Sequence, residues 1–221
     1  MMNTNLAKFL AEFLGTYALV FFGCGSMILN EINPSSISVD SIPIIFGLIV
    51  AVMIYTFGTI SGAHFNPAVS IAFCLNKSIE ITDLYFYIPA QLTGAIAASF
   101  SHKYFFGNNH TFGMTLNRLT QSQGFFLEIL ISFFLMLSIF SIASNKNISN
   151  LIIGFSIGGI ISVCSFVAGP FTGASMNPAR SIGPALVAGN LDNIGMYIFA
   201  PIIGMFISLL IFNYLKQKGE S

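Results

Sequence analysis

The apolar positions of this chain gather into six runs, each close to the length of about 20 residues that crosses the hydrocarbon core of a bilayer as an α-helix. They extend from about Phe9 to Leu29, Ile42 to Ile60, Leu84 to Phe106, Gly124 to Ala143, Leu151 to Ala168 and Ile194 to Leu215. Two further apolar segments, Asn66 to Leu75 and Asn177 to Val187, hold only about ten residues each, too few to cross. Both begin with Asn-Pro. Asparagine is a good N-cap and proline is at home in the first helical turn, so both are predicted as short helices that start abruptly. The polar stretches Asn30 to Ser41 and Gly107 to Gln123 are expected as loops on one side of the membrane, and Ser144 to Ser149 as a turn on the other. Gly169-Pro170 is expected to break the fifth run.

The chain also repeats itself. Ser61-Gly-Ala-His-Phe-Asn-Pro-Ala is echoed by Thr172-Gly-Ala-Ser-Met-Asn-Pro-Ala, 111 residues later. Tyr87 and Tyr197 lie 110 residues apart, as do Gly94 and Gly204, and Glu12 and Glu128 lie 116 apart. The repeats cover about residues 7–107 and 121–217 of what is expected to be a single domain, 1–221. Each half holds three spans, an odd number, so the second enters the membrane upside down relative to the first. Inverted repeats with broken helices place their functional site near the bilayer midplane.

Composition agrees with a membrane protein. The chain is 55% hydrophobic and 7% charged, against about 25% charged in soluble domains. No basic patch exists to neutralise phosphates, which argues against nucleic acid. Six spans put both termini on one side. Lys8, Lys77, Lys146, Lys216 and Lys218 fall there and Lys103 and Arg118 on the other, which favours cytoplasmic termini. The first run lacks a strongly basic start and is expected to stay as a span. Cys24, Cys74 and Cys164 sit singly in apolar runs and are expected as buried hydrophobes, without metal-type spacing. Asn109-His-Thr and Asn147-Ile-Ser match the glycosylation sequon, a motif common by chance.

Two half-helices that start at mid-depth leave unpaired N–H groups there and carry about half a positive charge at each tip. With the side-chain amides of Asn66 and Asn177 at those tips, a passing water accepts from both and donates to neither, which interrupts a proton-conducting chain. Arg180 follows the second Asn-Pro-Ala. It is costly at membrane depth and sits at the wrong helix end for a cation. Either it faces a watery cavity and repels cations, or it pairs with Glu128 or Glu12. Those two glutamates are candidates for a proton relay or for scaffold acceptors of loop N–H groups. The second role fits better, because nothing titratable is patterned near them. His64 is either a pH sensor or a packing and hydrogen-bonding residue of its loop. Gly15, Gly94, Gly154, Gly158 and Gly204 suit close helix contact.

The paired motifs Asn66-Pro67-Ala68 and Asn177-Pro178-Ala179-Arg180, with Ala11-Glu-Phe-Leu-Gly-Thr and Ala90-Gln-Leu-Thr-Gly, resemble those of the aquaporin, or major intrinsic protein, family. That resemblance implies an all-α membrane fold of six transmembrane helices and two re-entrant half-helices. It also implies a homotetramer in a cell membrane, with one pore per protomer. By the family's pattern the selectivity filter is Phe46, Ser165, Ala174 and Arg180. The pore carbonyls are those of Gly62, Ala63, His64 and Phe65, and of Gly173, Ala174, Ser175 and Met176. Serine at 165 departs from the histidine usual in water-selective members and suggests a wider opening. Ser181 and Ala185 match water channels, whereas the stretch from Gly169 to Ala185 resembles the plant nodulin-like branch, some members of which pass glycerol or metalloid acids. The expected function is a passive channel for water and small uncharged solutes such as glycerol, ammonia or metalloid hydroxides, excluding protons and ions. No enzyme chemistry, metal or cofactor is expected. A glycerol facilitator is the nearest alternative. A coupled secondary transporter would need Glu12 or Glu128 at the midplane beside the Asn pair, and a structural junction protein would leave a membrane no more permeable than bare lipid.

Overall fold

The structure, a computed structural model, describes residues 4–108, 111–143 and 148–219. Asn109 and Asn147 of the two sequons, and Lys146, lie outside the described residues. Among the described residues eight α-helices follow one another: α1 Thr4–Ile32, α2 Ser41–Ser61, α3 Pro67–Leu75, α4 Leu84–Phe106, α5 Gln121–Ala143, α6 Asn150–Thr172, α7 Pro178–Ala188 and α8 Ile194–Gly219. A single 3-10 turn at Ile81–Asp83 leads into α4, and Lys8 of α1 clamps it by an ion pair of 2.7 Å to Asp83. There are no strands among the described residues.

The six long helices match the six apolar runs. Five of them are long and apolar enough to cross a membrane; α4 has the length, 23 residues, but not the hydropathy. Several of its polar residues are turned inward, although Thr93 and Lys103 are exposed. Gln91, Ser99 and His102 are fully buried, and His102 Nε2 lies 2.9 Å from the Phe21 carbonyl of α1. With those three buried, average composition understates how apolar the outer face of this helix is.

The short helices α3 and α7 have 9 and 11 residues, about 14–17 Å at 1.5 Å per residue, roughly half the hydrocarbon thickness. Each starts where the sequence says. Asn66 and Asn177 are extended, with φ near −150°. Their side-chain oxygens accept from Ala68 N at 2.9 Å and Ala179 N at 3.0 Å. Proline at the first helical position needs no hydrogen-bond acceptor there.

The two halves, α1–α4 and α5–α8, use the same contacts. A Cβ added to Gly94 would strike Phe13 O and crowd Tyr17 N; one added to Gly204 would strike Ile129 O and crowd Phe133 N. Phe13 and Ile129, like Tyr17 and Phe133, are 116 residues apart, the Glu12-to-Glu128 offset. Between the halves, α2 crosses α6 where Gly47 and Gly158 each face the other's backbone carbonyl. Glycine is what lets these backbones approach. Gly94→Val is therefore expected to cost about 1–3 kcal/mol through overpacking, seen as a lower thermal midpoint in detergent. Gly195→Ala, where an added Cβ meets nothing within 4 Å, should leave that midpoint unchanged.

Gly169-Pro170 does not end α6. The helix runs through Pro170 to Thr172 and is capped at Gly173, whose φ of +78° suits glycine. Proline removes only the bond to the Phe166 carbonyl. Phe166 and Pro170 both line an outer cavity, where water can take that carbonyl.

Candidate functional site

Each half-helix is preceded by a loop with alternating backbone handedness. Gly62, Ala63 and Phe65 have φ of +82°, +54° and +54°, and Gly173, Ala174 and Met176 have +78°, +44° and +52°. Left-handed conformations cost non-glycine residues energy, so something must hold them. Two fully buried carboxylates do. Glu12 Oε1 accepts from Ser61 Oγ at 2.6 Å and His64 N at 2.9 Å; its Oε2 accepts from Phe65 N and Gln91 Nε2, both at 2.7 Å. Glu128 Oε1 accepts from Thr172 Oγ1 at 2.7 Å and Ser175 N at 2.9 Å, and Oε2 from Met176 N at 3.0 Å. Ala63 N and Ala174 N bond the hydroxyls of Ser61 and Thr172. Tyr87 and Tyr197 pin the loop starts by donating to the carbonyls of Ser61 and Thr172.

A trans peptide carries its carbonyl opposite its N–H. With three successive N–H groups drawn to each glutamate cluster, the carbonyls of Gly62, Ala63 and His64, and of Gly173, Ala174 and Ser175, point the other way. The next carbonyl in each loop is taken by the opposite half: Asn177 Nδ2 donates to Phe65 O at 2.9 Å and Asn66 Nδ2 to Met176 O at 2.7 Å. Each asparagine has thus committed its oxygen to its own helix and one amide hydrogen to the partner loop. The second amide hydrogen remains.

Two cavities meet in the molecule. The inner one, about 250 Å³, is lined by Asn66, Asn177, both loops and a wall of aliphatic side chains from α2, α5 and α6. The outer one, about 580 Å³, is lined by Met27, Glu31, Asp40, Met114 and Arg118 among others. Four residues line both: Phe46, Ser165, Ala174 and Arg180. Arg180 is 2% exposed. Its guanidinium carbon lies 5.2 Å from the Phe46 ring centroid, and Nη1 donates to Gly113 O at 2.8 Å. Among the described residues no ion pair joins Arg180 to Glu128 or Glu12. Neither glutamate lines either cavity.

Gly62, Ala63, His64 and Phe65 line the inner cavity with Ala174, Ser175 and Met176, while Gly173 lines the outer one. Pro67, Ala68, Pro178 and Ala179 are buried at the helix starts behind the asparagines. His64 Nδ1 lies 3.0 Å from Ser70 Oγ, and its ring stacks on Phe73 at 4.7 Å. Cys24, Cys74 and Cys164 are unpaired, and no group of three or more metal-ligating side chains occurs among the described residues. Sequence reasoning missed Gly113 and Met27, which hold Arg180, and Thr115, whose hydroxyl donates to Ser181 Oγ behind it. Only a glycine in a polar loop hinted at the first, and nothing at the others.

The pattern that describes the major intrinsic protein family matches residues 2–212. The chain belongs to that family. Nodulin-26 of Glycine max is 40% identical to this major intrinsic protein over 216 residues, 97% of this chain and 80% of the relative. A probable aquaporin, NIP4-2 of Arabidopsis thaliana, is 40% identical over 210 residues, 95% and 74% of the two chains. The X-ray structure of the aquaglyceroporin from Plasmodium falciparum superposes with a TM-score of 0.86 at 24% identity, covering 95% of this chain and 96% of that one. That likeness establishes the fold.

Proposed function

We propose that this major intrinsic protein is a passive channel for water and small uncharged solutes, glycerol-sized ones included, and that it excludes protons and ions. The observation that carries the proposal is that the two cavities share Phe46, Ser165, Ala174 and Arg180 and no other residue. Four side chains common to two spaces form the waist between them, and these are the family's selectivity-filter positions. Below the waist, the free amide hydrogens of Asn66 and Asn177 and the tips of α3 and α7 orient a water by its oxygen. The loop carbonyls of residues 62–64 and 173–175 supply acceptors along one wall, against an aliphatic wall opposite. Oriented helix ends and a fixed arginine are established means of excluding protons and cations. The relatives' names, aquaporin and aquaglyceroporin, agree with this reading.

Ser165 and Ala174 are small, which favours a waist wide enough for glycerol. Ser165→His is expected to reduce glycerol permeability about tenfold or more, equivalent to about 1.4 kcal/mol or more of added barrier, while water permeability stays within about twofold. Stopped-flow light scattering of proteoliposomes under water, glycerol and urea gradients measures this, and tests the channel reading itself. Vesicles no more permeable than bare lipid would refute it. Flux that saturates and follows an imposed proton gradient would favour a coupled transporter; the burial of Glu12 and Glu128 away from both cavities favours the passive reading. The protein acts as one domain and is not an enzyme. It resides as a homotetramer in a cell membrane, its termini cytoplasmic by the lysine distribution.

A further inference from the structure

Arg180 has five N–H donors on its side chain, and the protein takes up two nitrogens from one side only. Nη1 donates to Gly113 O, and Nη2 to the thioether sulfur of Met27 at 3.3 Å. Gly113 is itself pressed against Cys24, where an added Cβ would strike the backbone of α1. Met27 stands three residues further along the same helix, so both partners hold the guanidinium against the α1 wall. Met27 also lines the outer cavity that ends at the waist. A thioether is a weak acceptor without charge. It orients the guanidinium without neutralising it, as a carboxylate would.

The repeat offers a comparison within the chain. The residue 116 positions after Met27 is Ala143, which lines the inner cavity, and the residue 111 positions before Arg180 is Val69. Where the arginine is absent, the thioether is absent too. We propose that Met27 is a positioning residue and a fifth determinant of specificity at the waist. Its sulfur holds Arg180 toward α1 and over the Phe46 ring, and this keeps the waist in front of the small Ser165 and Ala174 open to polyol-sized solutes. This rests on the channel reading above.

The test is the ratio of glycerol to water permeability in proteoliposomes holding equal amounts of wild type, Met27→Leu or Met27→Gln. Leucine keeps the bulk and removes the acceptor; glutamine restores an acceptor oxygen at similar reach. The ratio is expected to fall about threefold in Met27→Leu, the shift expected for one weak hydrogen bond, and to return to the wild-type value in Met27→Gln. A wild type that passes neither solute defeats the channel reading. A wild type that passes both, with a Met27→Leu ratio equal to its own, overturns the role of Met27. So does a fall in both variants alike, which would mean packing alone, or a wild type that passes water but no glycerol.

Discussion

Replacing Arg180 by valine is expected to raise proton and alkali-cation leak through the reconstituted protein about tenfold or more while leaving water permeability in place. Two like charges about 4 Å apart repel by about 4 kcal/mol at an effective dielectric constant of about 20. A third of that, about 1.4 kcal/mol, already corresponds to a tenfold change. The guanidinium is fixed by Gly113 O and Met27 Sδ and lies over the Phe46 ring, so its charge cannot swing clear of an entering ion. Arg180→Lys should restore most of the cation exclusion, because the charge stays. Conductance and a pH-sensitive dye in proteoliposomes read both. An unaltered leak in Arg180→Val would remove Arg180 from its assigned role and leave exclusion to the half-helix tips alone.

Glu128→Ala should fail at an earlier stage, in folding. It leaves Thr172 Oγ1, Ser175 N and Met176 N without their acceptor in a fully buried site. Each orphaned buried donor costs about 1–3 kcal/mol, so three approach the about 5–15 kcal/mol that typically separates folded from unfolded protein. The released loop would also lose its hold on the left-handed Ala174 and Met176. The expected result is little monodisperse protein in detergent, or a thermal midpoint far below wild type. A Glu128→Ala variant that melts within a few degrees of wild type would show that the loop is held by something else. Glu12, with four donors rather than three, should be at least as sensitive.

What the chain discloses before folding depends on how local the cause is. The starts of α3 and α7 are encoded within four residues, by an asparagine that caps and a proline that follows, and both are where the pattern put them. The glutamates were legible as a pair because they recur at matching places in two copies, and the apolar runs because a bilayer demands length. Three features were not legible for matching reasons. Pro170 was expected to end α6, yet a cavity-facing turn tolerates the lost bond. The partners of Arg180 lie 67 and 153 residues away, in an irregular loop and on a distant helix, where no periodicity connects them. Phe46, Ser165 and Ala174 came from likeness to other chains; nothing in their own spacing marks them out, and only the junction of the two cavities gives them a common geometry.

The exchange between Asn66 and Met176, and between Asn177 and Phe65, bears on how the protein is made. At synthesis rates of about 5–20 residues per second, the ribosome needs roughly 5–20 s to travel the 110 residues that separate the first pair. For that interval the Met176 carbonyl that accepts from Asn66 Nδ2 does not yet exist. The exchange between the two halves therefore belongs to the finished chain alone: neither tip can be answered until both have been made.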